Sequence, residues 1–517
     1  MSPMAVYNAA SDLLGQNLSE GRGDKPAFID RQRRITYAEL ERETARLANF
    51  LGRLGLRRED RVAMAVLDTV DFPAIFLGAI RAGIVPIPLN TLLTVEQYAY
   101  ILADTRARVC FVSEPLLPTL TKATAALKDV EFVVVGATKQ TPHRDLTAAL
   151  DQESGEFETA ATHPDEPAFW LYSSGSTGMP KGTKHLHTSL MATARLFGQQ
   201  TLGMRPDDVV YSAAKLFFAY GLGNGLTFPM SVGATAVLFD GRPTPDAIFD
   251  ILRREQPTIF CSGPTGYAAI LADPRCTRDA GSPRLRLCLS AGEALPEHIG
   301  TAWKQRFGVD IVDGVGSTEM LHIFLSNTPG DIRYGTSGRA VPGYELRLLD
   351  EQGREAADNE IGELFVSGPS AAEGYWNQRD KSRSTFGGAW TRTGDKFVRD
   401  ADGRYTYCGR TDDMFKVSGV WVSPFEVESA LLSHPAILEA AVIPSADTDG
   451  LLKPKAYVVL KNGQTSDKLD TALREHVKTT VGPWKYPRWI EVLDTLPKTA
   501  TGKIQRFKLR EMDAERK

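Results

Sequence analysis

Apolar residues recur at helical spacing through Thr36-Tyr-Ala-Glu-Leu-Glu-Arg-Glu-Thr-Ala-Arg-Leu-Ala-Asn-Phe-Leu51, with Glu39 three residues after Thr36. That is the pattern of an amphipathic helix opened by a capping box. Arg61-Val-Ala-Met-Ala-Val-Leu67 reads as a buried strand, Phe72 to Ala82 as a helix, and Ile84-Val-Pro-Ile-Pro-Leu89 as the next extended segment. Strand, helix, strand in this rhythm predicts βαβ units and a mainly parallel sheet. Val109-Cys-Phe-Val-Ser113, Phe132-Val-Val-Val-Gly136, Thr258-Ile-Phe-Cys-Ser262 and Leu285-Arg-Leu-Cys-Leu-Ser290 continue it to about residue 330. From about Gly338 the runs become short and alternating, as in Tyr344-Glu-Leu-Arg-Leu-Leu349 and Gly362-Glu-Leu-Phe-Val-Ser367, punctuated by glycine. They predict an antiparallel, barrel-like segment. After Tyr405-Thr-Tyr-Cys-Gly-Arg-Thr-Asp-Asp413, a charged and turn-prone cluster, a compact α+β pattern follows. The main boundary is placed at Asp412, giving a large domain over 1–411 and a small one over 412–517.

A chain of 517 residues is several times the usual length of one domain. Apolar residues make up 42% and charged residues 24%, enough to build cores and leave a wettable surface, which excludes global disorder. The net charge of -4 supplies no basic field for nucleic acid or an anionic membrane, so anionic ligands must be met by local sites. Cys110, Cys261, Cys276, Cys288 and Cys408 are odd in number and widely spaced without a C-x-x-C pair, which argues against a disulfide framework or a zinc site. A reducing, cytoplasmic compartment is expected. The amino terminus has neither a basic region nor an apolar core of the secretory kind. The most apolar stretch, Leu216 to Leu238, is interrupted by Tyr220, Asn224, Pro229 and glycines, too often for a bilayer span. His185 and His187, two apart with no third ligand nearby in sequence, do not read as a metal site.

Leu171-Tyr-Ser-Ser-Gly-Ser-Thr-Gly-Met-Pro-Lys-Gly182 follows the apolar strand Ala168-Phe-Trp-Leu171 and gathers hydroxyls, glycines and a lysine. A loop of this kind offers backbone N–H groups, hydroxyls and one ammonium to phosphate oxygens. It is not a P-loop, because Pro180 precedes Lys181 and no Ser or Thr follows the lysine in the required frame. The bland alternative, a Ser/Gly linker, is disfavoured by the buried strand that feeds it.

This loop resembles the signature of the adenylate-forming superfamily, which includes acyl-CoA synthetases, luciferases and nonribosomal adenylation domains, and further segments match in the same order along essentially the whole chain. The resemblance makes Ser173, Ser174, Gly175, Ser176, Thr177, Gly178 and Lys181 a phosphate-binding loop. Ser290-Ala-Gly-Glu-Ala-Leu-Pro296 looks like the adenine-binding segment, through Gly292, Glu293 and Ala294. Asp313-Gly-Val-Gly-Ser-Thr-Glu319 looks like the segment contacting the α-phosphate and Mg²⁺, with Asp313 on the nucleotide, Thr318 donating to phosphate and Glu319 holding the metal. Asp395 and Arg410 are similar to the ribose-binding pair. Asp412 falls on the hinge and Gly419 beside the pantetheine tunnel, while Lys416 matches a lysine some members use in thioester formation. Pro497-Lys-Thr-Ala-Thr-Gly-Lys503 resembles the motif of the catalytic lysine, Lys503. Outside these motifs, Glu319, Asp395 and Lys503 would each read as ordinary surface charges, and Arg410 and Asp313 as members of structural ion pairs.

The residue types suit the implied reaction. Joining a carboxylate to the α-phosphorus of ATP brings anions together, so catalysis consists mainly of charge neutralisation and alignment. Lys215-Leu-Phe-Phe-Ala-Tyr-Gly-Leu-Gly223 and Gly316-Ser-Thr-Glu-Met-Leu-His-Ile-Phe-Leu325 look like the acid-pocket segments of aryl-CoA ligases that activate benzoate and its ring-substituted relatives. The resemblance puts Ala219 and Tyr220 on one wall, Gly316, His322 and Ile323 on another, and Phe218 at an aromatic gate. A flat slot between an aromatic face and small residues suits a benzene ring, although Phe217, Phe218 and Tyr220 can equally be core aromatics.

The expectation is an α/β enzyme with a large domain of βαβ sheets plus a distorted β-barrel and a small mobile α+β domain. It would be an AMP-forming acid–thiol ligase using ATP, Mg²⁺ and coenzyme A on benzoate or 4-hydroxybenzoate, as a monomer or homodimer without nucleic-acid or membrane partners. The alternatives are an adenylation enzyme loading a carrier protein, and a nucleotide-binding sensor of acids without turnover.

Overall fold

The computed structural model describes residues 5–125, 127, 130–175, 178–417, 420–448, 451–461, 469–482, 485–498 and 504–515. Two compact units emerge. The first is built from Met1–Gly175, Met179–Glu345 and Val366–Thr391, and the second centres on Leu346–Phe365 and Arg392–Lys517.

The first unit carries two largely parallel sheets. One is five-stranded, in the order Val85–Pro88, Arg61–Ala65, Val109–Ser113, Glu131–Val135 and Arg144–Asp145, all parallel. Its interior face packs Ala63, Ile87, Cys110 and Val112 against Tyr98, Ile101 and Leu102 of the helix Val95–Thr105. The expected helix after Thr36 is observed as Tyr37–Arg53, and its capping box forms as the sequence predicts, with the Thr36 hydroxyl accepting from the Glu39 N–H and the Glu39 carboxylate accepting from the Thr36 N–H. Such a cap contributes about 1 kcal/mol.

The other sheet has nine strands. Ile311–Gly316, Leu287–Ala291, Ile259–Ser262, Val209–Ser212, Thr235–Val237 and Pro26–Ile29 lie parallel in that order, with antiparallel strands at both edges. Leu252, Tyr267, Ile299 and Trp303 from three helices fill one side against Tyr211, Phe260 and Cys288. The strand Val209–Ser212 pairs with a later strand on each side, so the strand order reverses there. In sheets of this type, ligands bind beyond the carboxyl ends of the strands at such a switch point. A three-stranded sheet, Pro167–Gly175, Gly178–Leu186 and Gly374–Tyr375, completes the unit.

The alternating pattern is observed as one sheet that holds Glu345–Leu349, Ile361–Ser367, Trp390–Arg399 and Tyr405–Arg410, the last two paired antiparallel. The second unit also contains a sheet of Ile437–Ala446, Leu452–Leu460 and Trp489–Val492. Alternate residues of that sheet feed two small cores. Val442 and Val458 pack on Val427, Leu431, Leu473 and Val477, while Ile443 and Tyr457 pack on Leu509. The expected boundary at Asp412 falls inside this second unit, on a turn where Asp412 is exposed and its neighbour Asp413 pairs with Arg510 Nη1 at 2.9 Å. Among the described residues, no helix is long and apolar enough to cross a membrane. The five cysteines are unpaired, and four of them are buried.

Candidate functional site

The acid-pocket segments meet at the carboxyl ends of the nine-stranded sheet. Beyond Val209–Ser212 the chain forms a short loop and then the helix Ala219–Leu222, opened by Phe218. Phe217 goes to the core, at 4% exposure, whereas Phe218, Ala219 and Tyr220 remain half-buried. Phe217 is therefore a core aromatic. Across from them, the strand Ile311–Gly316 turns through Ser317–Leu321 into Ile323–Ser326. Leu321 takes φ 64° to close the turn, and the Ser317 hydroxyl accepts from the Met320 N–H at 3.2 Å. Gly316 is required by close approach, because a Cβ there would lie 2.5 Å from the His322 carbonyl oxygen.

His322 and Tyr220 are brought together directly. The His322 ring stacks on the Tyr220 ring at 5.7 Å, packs edge-on to Phe228 at 4.5 Å, and sets Nε2 3.4 Å from the Tyr220 carbonyl. Asn224 Nδ2 donates to the same carbonyl at 3.0 Å. Burial drives the His322 pKa down to about 3, so the ring is neutral and Nε2–H can be its donor. The Tyr220 hydroxyl donates to the Ser262 carbonyl at 3.3 Å. Ile323 is buried.

A second cluster joins Lys181 from the strand Gly178–Leu186, Glu319 from the turn, and Tyr375 from the strand Gly374–Tyr375. Lys181 Nζ lies 2.9 Å from Glu319 Oε1 and 2.8 Å from the Tyr375 hydroxyl, which itself donates to Glu319 Oε1 at 2.7 Å. Lys181 also sits 4.1 Å from the Tyr375 ring centroid. Burial pushes the Glu319 carboxyl up, but the Lys181 ammonium and the two hydrogen bonds outweigh it and leave the pKa below the ordinary value. Both side-chain donors fall on Oε1, so Oε2 has no side-chain donor among the described residues. An oxygen-seeking divalent cation fits such a carboxylate if phosphates and water complete its shell. Among the described residues, no group of three metal-ligating side chains exists to hold a cation by protein alone. Thr318 lies in the same turn, its carbonyl accepting from the Leu321 N–H at 3.1 Å.

Tyr375 escapes the sequence reading. It comes 56 residues after Glu319 and 194 after Lys181, and no local pattern links it to either. The only trace is the aromatic pair Tyr375-Trp376 behind Gly374.

Ser173 lies near the end of the strand Pro167–Gly175, its hydroxyl buried and without a hydrogen-bond partner among the described residues. Ser174 and Gly175 complete that strand and Gly178 opens the next. Gly292 takes φ 94° in an open turn, with Glu293 exposed and accepting from the Thr265 hydroxyl at 3.2 Å and Ala294 half-buried. His185 is fully buried on Phe169 at 5.0 Å, and burial lowers its pKa to about 4; His187 Nδ1 accepts from the Ala9 N–H at 3.2 Å.

Asp313 is buried, and its Oδ1 has no hydrogen-bond partner among the described residues. Burial pushes its pKa to about 8, against the lowering pull of the Ser290 hydroxyl and the Leu295 N–H. Between pH 4 and 8 the unfolded chain releases a proton that the folded chain keeps, so this carboxyl erodes stability as pH rises through that window. Asp313→Asn is accordingly expected to raise the thermal midpoint more at pH 8 than at pH 5. An equal shift at both values in a melting experiment would contradict this.

In the second unit, antiparallel pairing sets Asp395 opposite Arg410, with Arg410 Nη1 3.0 Å from Asp395 Oδ1 and donating to the Thr393 carbonyl at 3.0 Å. Lys416 pairs with Glu351 at 3.0 Å. Ser176, Thr177, Gly419 and Lys503 lie outside the described residues.

The family model described as AMP-binding enzyme matches residues 16–376, and that of the AMP-binding enzyme C-terminal domain matches 426–503. The chain belongs to the AMP-binding enzyme family. This AMP-binding enzyme is 56% identical over 512 residues to a 4-hydroxybenzoate–CoA/benzoate–CoA ligase of Rhodopseudomonas palustris, covering 99% of this chain and 95% of the relative. It is 57% identical to a benzoate–CoA ligase of Thauera aromatica, covering 98% and 96%. The crystal structure of a benzoate CoA ligase from Burkholderia xenovorans superposes with a TM-score of 0.91 at 49% identity, covering 98% of this chain and all of that one. The mixed α/β architecture expected from the sequence is that of the AMP-binding enzymes.

Proposed function

We propose that the protein is an AMP-forming aryl-CoA ligase that converts benzoate or 4-hydroxybenzoate and coenzyme A to the thioester at the expense of ATP. The observation that carries the aryl specificity is the meeting of Tyr220 and His322, with rings stacked at 5.7 Å and Ala219 beside them. Relatives more than half identical over nearly the whole chain are ligases of these acids by name, which supports the same choice.

The reaction proceeds in two halves. A ring lies in the slot between Phe218, Ala219 and Tyr220 on one side and Gly316, His322 and Ile323 on the other. The neutral His322 ring buries no charge against it. Ser173, Ser174, Gly175, Ser176, Thr177, Gly178 and Lys181 hold phosphates, Thr318 donates to the α-phosphate, and Gly292, Glu293, Ala294 and Asp313 serve the nucleotide. Asp395 accepts from the ribose hydroxyls with Arg410 fixing its carboxylate. Glu319 would hold Mg²⁺, whose chemistry is to shield phosphate charge. Lys503 bridges the substrate carboxylate and the charge developing at phosphorus, and the acyl adenylate and pyrophosphate form. A swing about Asp412 then withdraws Lys503 and brings Gly419 to the pantetheine path. The coenzyme A thiol attacks the acyl carbon and AMP leaves. A thiol with a pKa near ~8.5 is partly ionised at neutral pH, so no strong base is demanded.

The test is Ala219→Leu. Added methylenes where a flat ring must lie cost roughly 1 to 3 kcal/mol, on the order of 5- to 150-fold in kcat/KM for benzoate. KM for ATP is expected to stay unchanged, and ring-substituted acids to suffer more than benzoate. A variant that loses ATP and every acid alike, or keeps benzoate untouched, contradicts the assignment.

A further inference from the structure

Asp68 lies far in sequence from every matched motif, on the loop after the strand Arg61–Ala65 of the five-stranded sheet, and is buried at 4% exposure. Its carboxylate reaches the loop that leaves the nine-stranded sheet at the switch point. Both oxygens accept from the Leu216 N–H at 3.3 Å, and Oδ2 lies 3.9 Å from Lys215 Nζ. Lys215 Nζ also donates to the carbonyls of Phe239 and, at 2.8 Å, Gly241. Burial raises the Asp68 carboxyl to about 6 and lowers the Lys215 pKa, and each charge partly offsets the other's loss of water. A buried pair of this kind adds little net stability over an apolar pair, so its use is sought in geometry.

The geometry continues into the acid slot. The Lys215 carbonyl accepts from the Phe218 N–H at 3.0 Å, and the Phe218 carbonyl accepts from the Leu222 N–H at 2.7 Å, which closes the turn holding Ala219 and Tyr220. Gly221 rests on the same anchor, since a Cβ there would come 2.0 Å from the Lys215 carbonyl oxygen. The chain from the Asp68 carboxylate to Ala219 is therefore continuous and short, with each link a hydrogen bond or a hard contact.

We infer that Asp68 and Lys215 are positioning residues that clamp the acid loop between the two sheets and so set the fit of the aromatic ring. The inference rests on the reading that residues 218–220 line the acid slot. Among the described residues, neither side chain has a hydrogen bond or ion pair to the nucleotide segments. Loss of the clamp shifts the ring wall and spares ATP binding.

The experiment compares steady-state KM values for benzoate and for ATP in Asp68→Asn, Asp68→Ala, Lys215→Met and the double variant Asp68→Asn/Lys215→Met, with Ala219→Leu alongside. Asp68→Asn keeps an acceptor for the Leu216 N–H and drops the charge. It is expected to raise KM for benzoate about fivefold to tenfold while KM for ATP stays within about twofold. Asp68→Ala, if it folds, loses the acceptor too and is expected to do more. The double variant is expected to be no worse than the worse single one, because the two groups act as one unit. An unchanged benzoate KM in Asp68→Asn, or a parallel rise for ATP, overturns the proposal. The response of Ala219→Leu then tells whether the loop assignment falls with it or survives alone.

Discussion

Lys503→Ala is expected to slow the formation of benzoyl adenylate on the order of 10²- to 10³-fold, the loss seen when one group aimed at a developing oxyanion is removed. Thioester formation from supplied benzoyl adenylate and coenzyme A should be nearly unchanged. The split follows from the chemistry of the two halves. Adenylation joins two anions and needs a cation at the reacting centre. In the second half an activated acyl phosphate meets a thiol, and the proposed swing has withdrawn the lysine. Pyrophosphate release with benzoate and ATP reads the first half, and thioester absorbance from the synthetic adenylate reads the second. Equal losses in both would remove the proposed role of Lys503.

The second large effect is expected at Glu319. Glu319→Gln preserves the side chain's shape and an acceptor for Lys181 and Tyr375, yet it deletes the charge that balances Lys181 at 2.9 Å. It also deletes the carboxylate proposed for the metal, whose charge stabilisation is worth several kcal/mol, or on the order of 10²-fold in kcat/KM for ATP. The Mg²⁺ concentration needed for half-maximal pyrophosphate release is expected to rise as well. Tyr375→Phe, which removes the two hydrogen bonds of the hydroxyl and keeps both charges, should cost only about fivefold to tenfold. If Glu319→Gln costs no more than Tyr375→Phe and leaves the Mg²⁺ requirement alone, Glu319 only pins Lys181.

Much of the fold is legible in the chain because it depends on local pattern. The capping box at Thr36 and Glu39 forms as read, and the apolar runs at 61–67, 109–113 and 285–290 become parallel strands with ends shifted by a residue or two. The pairing of Tyr220 with His322 was legible only through family resemblance, since 102 residues separate them. Tyr375 and Asp68 were not legible at all. Each acts on residues more than 50 positions away, through a hydrogen bond that only the folded sheets create. Phe217 and Phe218 show a further limit. They are adjacent and chemically identical, yet one fills the core and the other stays half-buried, a difference set by the turn into Ala219–Leu222 and invisible in composition.

If this AMP-binding enzyme makes aryl-CoA thioesters, its products depend on both the acid and coenzyme A. AMP and thioester should be measured over many turnovers with ATP and Mg²⁺, using benzoate, 4-hydroxybenzoate and a set of aliphatic acids, each with and without coenzyme A. Sustained AMP release is expected with the aromatic acids, matched by thioester, only when coenzyme A is present, and little with the aliphatic acids. AMP release that favours aliphatic acids, or that proceeds with benzoate equally well without coenzyme A, would contradict it.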